Sequence, residues 1–342
     1  MHRFKAPVLG VLVVAASVVT VWKVPKAALI GNTTSSTEQS FDQQLLNPLT
    51  IQAIRARQYP GSDIVTEQQL GQRVSRVVSI VSYQSDGLKI YAQLSLPTSD
   101  KPAAGYPVII LDHGYINPAQ YQTDGPEYAS WIDALTGAGF AVIKPDYRGN
   151  GNSEGVPEGG HYSPVYAYDN LNLVTSLKNF APVDSKRIGL LGHSLGGHEA
   201  LRTIVVSPDI KATSLAAGVT GSFYDLFYNW PHSPAPNDQP TTIVRGNLER
   251  LLSEQGDPKS NPDFWASASS VNYVSAVTGA VQVNHGTADV TVPKLFSDHL
   301  VEALQKAGKS VEYQVYPGGD HQFSHDHQLF LQRLIDFYNR NL

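Results

Sequence analysis

Gly192-His193-Ser194-Leu195-Gly196-Gly197 sets a serine among glycines, a pattern that lets the chain turn sharply enough to expose a hydroxyl. A serine hydroxyl is a weak nucleophile; it needs a base, and the base needs an orienting acid. Downstream, His285-Gly286-Thr287-Ala288-Asp289-Val290-Thr291-Val292-Pro293 offers Asp289 as the acid, and Tyr316-Pro317-Gly318-Gly319-Asp320-His321-Gln322-Phe323 offers His321 as the base. In these roles Ser194 attacks a carbonyl carbon, His321 moves its proton to the leaving group, and Asp289 holds the imidazole tautomer. The tetrahedral intermediate also needs N–H donors. Asp112-His113-Gly114-Tyr115 follows an apolar run, so the backbone N–H groups of Tyr115 and Leu195 are expected to form the oxyanion hole.

Other titratable residues in these segments have plainer readings. His321 and His325 have metal-ligand spacing, but no third ligand matches them and no H-E-x-x-H motif is present, so neither a metal nor a cofactor is expected. His285, before a glycine at a strand end, reads as structural, and Asp320 as a loop cap. Asp146 and Arg148, in Asp146-Tyr147-Arg148-Gly149-Asn150-Gly151-Asn152-Ser153-Glu154-Gly155, are expected to pin their loop as an ion pair.

The elements that must position these groups alternate along the chain. Val77 to Tyr83 and Leu88 to Leu96 flank Ser85-Asp86-Gly87, a hairpin signal. Extended runs follow at Val108–Leu111, Phe140–Ile143, Ile188–Leu191, Thr213–Ala217, Val281–Asn284 and Val311–Tyr316. Helical patterns fall between and after them, at Tyr128–Ala138, Tyr166–Phe180, Gly196–Val206, Pro293–Lys306 and Leu329–Tyr338. Such repeated β-α-β units predict a mostly parallel sheet with helices on both faces. Ser194, Asp289 and His321 then each lie just past a strand, on one side of the sheet.

Residues 222–270 interrupt the rhythm with aromatics and prolines and are expected to act as a lid or binding insert. Phe223, Tyr224, Phe227 and Trp230 are its candidate substrate contacts. Ahead of the hairpin, residues 1–30 carry His2, Arg3 and Lys5, then an uncharged stretch from Ala6 to Trp22, then Lys23 and Lys26. That pattern reads as a membrane anchor, with a cleaved export signal as the alternative, and places the protein in the cell envelope or outside the cell. Residues 31–75 read as a polar tether, Gly31 to Ser40, and a short amphipathic helix from Asn47 to Tyr59.

Of the 342 residues, 42% are hydrophobic and 16% charged, which excludes general disorder. A net charge of -5 with no basic stripe gives no case for nucleic acid. Cysteine is absent, which excludes disulfides and thiolate chemistry.

With the motifs in place, residues 76–342 resemble the catalytic domain of prolyl oligopeptidase-type serine peptidases, and are similar to feruloyl esterases and dienelactone hydrolase-like enzymes. Ser82–Tyr91, Asp112–Tyr115, Asp146–Gly155, Arg187–Gly197, His285–Pro293 and Tyr316–Phe323 carry the resemblance, in family order. It implies an α/β-hydrolase fold, with Ser194, Asp289 and His321 at the triad positions and an ester or short peptide as substrate. The family's oligopeptidases also carry a gating β-propeller. The roughly 70 residues ahead of this domain are too few for two blades of ~40–45 residues, so that gate is not expected here. An esterase fits the remaining frame as an alternative to a peptidase, and a non-catalytic binding protein on the same scaffold is a remote third.

Overall fold

The computed structural model describes residues 46–158, 160–231 and 242–342. The expected anchor at residues 1–30 and the tether at 31–40 lie outside the described residues. Among the described residues, no helix is long and apolar enough to cross a membrane.

A nine-stranded sheet runs β1(Val65–Gln72), β2(Arg76–Ser85), β3(Leu88–Pro97), β5(Ala141–Pro145), β4(Tyr106–Asp112), β6(Val183–His193), β7(Ile210–Ala216), β8(Ala280–Gly286) and β9(Val311–Tyr316). β1, β2 and β3 are antiparallel, as is β3 to β5; from β5 to β9 every pairing is parallel. The α/β-hydrolase class expected from the sequence is therefore the fold. The predicted hairpin turn is present, with Asp86 and Gly87 both at positive φ, 55° and 79°.

The sheet begins earlier than residue 76, the expected start of the catalytic domain. β1 pairs with β2 from Val65 to Gln72, inside the stretch read as tether and helix. Its sequence, VTEQQLGQ, hides it: an edge strand exposed along almost its whole length needs no alternating apolar face. The helix in that stretch is α1(Ile51–Ala56), capped by the Thr50 hydroxyl.

The central strands are buried on both faces, and alternation along β4 shows it. Val108 and Ile110 pack into one apolar cluster, and Ile109 and Leu111 into the other. The first cluster is closed by α3(Val165–Leu177), α4(Leu195–Ile204) and α8(Lys294–Lys306). The second is closed by α2(Ala129–Gly137) and α9(His327–Asn341), where Phe330, Leu334 and Phe337 line one helical stripe.

Between β7 and β8 lie α5(Phe223–Tyr228), α6(Thr242–Gln255), α7(Pro262–Ala268) and a 3-10 turn, Ser270–Ala276. These pack with Leu49, Val219, Val292 and Phe296 into a third apolar cluster. Phe223 and Phe227 stand four apart on one helical face, and both rings pack on Trp265, at 5.0 and 5.2 Å.

The loop after β5 is pinned differently from expectation. Arg148 pairs with Asp169 of α3 at 2.6 Å and with Asp86 at 2.9 Å, not with Asp146. Asp146 instead accepts from the Tyr121 and Thr123 hydroxyls. Neighbours in sequence at such a turn point apart, so each finds a partner from another element.

Candidate active site

β6 ends at His193, and α4 begins at Leu195. Ser194 between them has φ 55° and ψ -118°, a backbone conformation that L residues adopt only under constraint. The constraint is visible. Ser194 N–H donates to the Ala216 carbonyl at the end of β7 (3.1 Å), and its own carbonyl accepts from Gly197 and Val219, both at 3.0 Å. A side chain at Gly192 would sit 2.5 Å from the Gly196 carbonyl oxygen, and one at Gly196 only 1.9 Å from that of Asp112. The glycines thus let the helix start dock on the end of β4, with its positive dipole end at the serine.

That packing gives an expected result. Gly to Ala inside a helix ordinarily stabilises by about 0.4–1 kcal/mol. Gly196→Ala should instead destabilise by about 3 kcal/mol through backbone overlap. Urea unfolding reads the sign directly.

Asp289 lies in the loop after β8, with its side chain fully buried. One oxygen accepts the backbone N–H of Thr291 (2.8 Å) and Val292 (2.9 Å). The other accepts the His321 Nδ1–H at 2.8 Å and faces His285 Nε2 at 3.2 Å. Burial pushes this carboxyl up, but the hydrogen bonds from His285 and His321 together hold it well below the ordinary carboxylate range. His285 is buried and steadied by Ser297 and the Val292 carbonyl, so it braces Asp289. Asp320 caps its own loop, accepting from Ser324 N–H at 2.8 Å.

Ser194 and His321 open on one cavity of about 360 Å³, a size suited to a small ligand. Tyr115 and Leu195 line it as well. As the first residue of its helix, Leu195 has an N–H without an acceptor inside the helix. His113 also reaches the cavity wall, sandwiched between Tyr121 and Tyr147 with ring centroids 4.7 and 4.6 Å away. Burial, then the Lys144 charge, push its imidazole down to about 3, so it stays neutral.

Part of the expected insert, residues 232–241, lies outside the described residues. Of its candidate contacts only Trp230 lines the cavity, tethered by its indole N–H to the Thr291 carbonyl at 2.8 Å. Phe223 and Phe227 are spent on the apolar cluster around Trp265, and Tyr224 is exposed. The wall that sequence reading missed is the loop Gly160 to Tyr162. Arg202 of α4 holds it, donating to the carbonyls of Gly160 (3.1 Å), Ser163 (3.2 Å) and His161 (3.4 Å).

Glu199, buried beside Arg202, gives that wall a pH signature. Burial pushes its carboxyl up to about 7 despite the arginine. Between the ordinary glutamate value and that point, the unfolded chain has released this proton and the folded chain has not, so rising pH weakens folding. Glu199→Gln should remove up to about 3 kcal/mol of that loss. Its stability relative to wild type therefore improves from pH 4.5 to 8, as denaturant titration at both pH values would show.

Residues 126–342 match the sequence pattern described as the prolyl oligopeptidase family. The chain belongs to that family. The chain is similar to dipeptidyl aminopeptidase BIII of Pseudoxanthomonas mexicana, 21% identical over 250 residues, 70% of this chain and 34% of that one. It thus spans about a third of the length of this relative. Among solved structures, the Pyrococcus horikoshii acylaminoacyl peptidase is similar at 19% identity and TM-score 0.63, covering 79% of this chain and 42% of that one. The acetyl xylan esterase from Paenibacillus sp. R4 is similar at 17% identity and TM-score 0.64, covering 91% and 97%. Membership in the prolyl oligopeptidase family indicates a serine hydrolase.

Proposed function

We propose that this member of the family cleaves acyl bonds of small substrates through an acyl-enzyme on Ser194. The observation that carries the reading is the buried Asp289–His321 hydrogen bond, opening on the cavity that holds the strained Ser194. Ser194 Oγ attacks the carbonyl carbon while its proton passes to His321 Nε2. The Tyr115 and Leu195 N–H groups hold the oxyanion as it forms. The intermediate collapses, and the leaving alcohol or amine takes the proton from His321. Water then attacks the acyl-enzyme by the same route in reverse. Asp289, kept anionic, stabilises the imidazolium in both halves.

A peptide amide is the bond the family implies. A carboxylic ester is a second reading, favoured by the neutral wall of Tyr115, Ile116, Tyr162, Val219, Trp230 and Val292, which suits an apolar acyl group. The basic-flanked stretch from Ala6 to Trp22 supports a location at the cell envelope.

The test pairs a fluorophosphonate probe with a panel of short-chain and aromatic acyl esters against proline-containing peptide amides. Labelling at Ser194 with turnover of either class is the expected result. A folded protein that takes no label and turns over neither class sinks the reading.

A further inference from the structure

A second hydrogen-bonded chain runs behind the reacting groups. The Gly114 N–H donates to the Tyr128 hydroxyl oxygen at 2.8 Å, leaving the Tyr128 proton for His193 Nδ1 at 2.7 Å. The other nitrogen, His193 Nε2, faces the backbone carbonyl of His321 at 3.1 Å. A carbonyl only accepts, so Nε2 must carry the hydrogen and Nδ1 is the acceptor. Every group in the chain has one role, and no alternative tautomer of neutral His193 satisfies both ends.

The chain joins three segments that sequence keeps far apart. Gly114 precedes Tyr115 in the loop after β4, His193 precedes Ser194, and His321 lies in the loop after β9. Space around it is tight. A side chain at Gly114 would lie 3.0 Å from the Tyr128 hydroxyl, 3.1 Å from Ser194 Cβ and 3.2 Å from His193 Nδ1. Tyr128 itself holds a left-handed backbone, φ 66° and ψ 7°, just before α2. That strain in a bulky residue persists only where its surroundings over-determine it. Trp131 closes the arrangement, its ring edge-on to both Tyr128 and His193 at 5.3 Å.

We propose that Tyr128 and His193 are positioning residues that set the oxyanion loop and the His321 loop at a fixed distance from Ser194. The inference rests on the assignment of Ser194, Asp289 and His321 above. Neither residue reacts. The His193 ring stands 4.9 Å from that of His321 and must stay neutral when His321 takes a proton, since a second cation there would oppose the imidazolium. Burial, then the charge of His321, push His193 down to about 3, which keeps it so. A polar chain satisfied at every member is rigid, and rigidity is what a hole for a transient oxyanion requires.

The experiment compares Tyr128→Phe, His193→Phe and the double variant, each keeping an aromatic ring at the position, on p-nitrophenyl acetate or whichever panel substrate turns over. Each single change should lower kcat about ten-fold with KM within about two-fold, because the lost bonds act on the transition state rather than on substrate uptake. The double variant should be no slower than the worse single, since either change breaks the same chain. Melting temperature checks folding; if His193→Phe does not fold, the kcat of Tyr128→Phe decides alone. A Tyr128→Phe enzyme within two-fold of wild type, a loss seen in KM alone, or singles that multiply in the double overturns the proposal. Fluorophosphonate labelling keeps the two readings apart. A labelled Tyr128→Phe protein with full kcat overturns only the positioning role, whereas an unlabelled wild type removes the catalytic assignment beneath it.

Discussion

Ser194→Ala should lower kcat/KM on acyl esters by about 10⁵-fold and abolish fluorophosphonate labelling, with the fold unchanged. The size follows from what is removed and what stays. The oxyanion donors and the cavity survive the change, so a residual rate over water persists. What disappears is the attacking oxygen of the residue that joins β6 to the start of α4. Ser194 is also partly exposed, and the bonds that hold its turn are made by its backbone N–H and carbonyl. Alanine tolerates φ 55° about as poorly as serine, so melting temperature should move by only a few degrees. Unchanged turnover in this variant would transfer the chemistry to another residue.

Asp289→Asn should lower kcat by about 10³–10⁴-fold with little effect on KM. In the proposed mechanism the carboxylate does two jobs at once. It accepts from His321 Nδ1, fixing the tautomer with Nε2 free for the serine proton, and it offsets the positive charge that His321 acquires. An amide of the same shape can present a hydrogen to Nδ1, which selects the opposite tautomer. Stability follows with a definite sign. The Asp289 carboxyl lies below its ordinary range in the folded chain, so its ionised form stabilises the fold above the unfolded value. That contribution drains away as the pH falls through the folded value. The variant should therefore be less stable than wild type at neutral pH, and the gap should narrow on acidification, as denaturant midpoints at pH 7 and pH 3 would report. Equal gaps at both would show that Asp289 owes nothing to its buried partners.

Much of this architecture is legible in the chain itself, for reasons that particular residues make plain. Strands buried on both faces, such as β4 with Val108 to Leu111, read as continuous apolar runs, and Ser194 follows another, Ile188 to Leu191. β1 escapes such reading because an edge strand of threonine, glutamate and glutamine carries no burial pattern. The aromatic insert misleads for the opposite reason. Phe223 and Phe227 look like ligand contacts by type, yet their spacing of four is that of a helical core face, and they meet Trp265. Arg148 shows a third limit: residue types announce an ion pair, but the partner, Asp169, comes from α3 through tertiary packing. The chain through Tyr128 and His193 is of the same kind, since it joins loops after β4, β6 and β9.

Tyr115, Ser194, Asp289 and His321 hang from the ends of β4, β6, β8 and β9, so no short stretch of chain contains the proposed machinery. Every contact among them closes a long loop, and that entropy must be met before any of them can form. Activity is therefore a late event in folding: regained hydrolysis on dilution from denaturant marks completion of the parallel half of the sheet, whereas the β2–β3 hairpin can form without it. By the same logic a protease cut that frees β9, and with it the proposed base His321, should silence the enzyme while most of the sheet still stands.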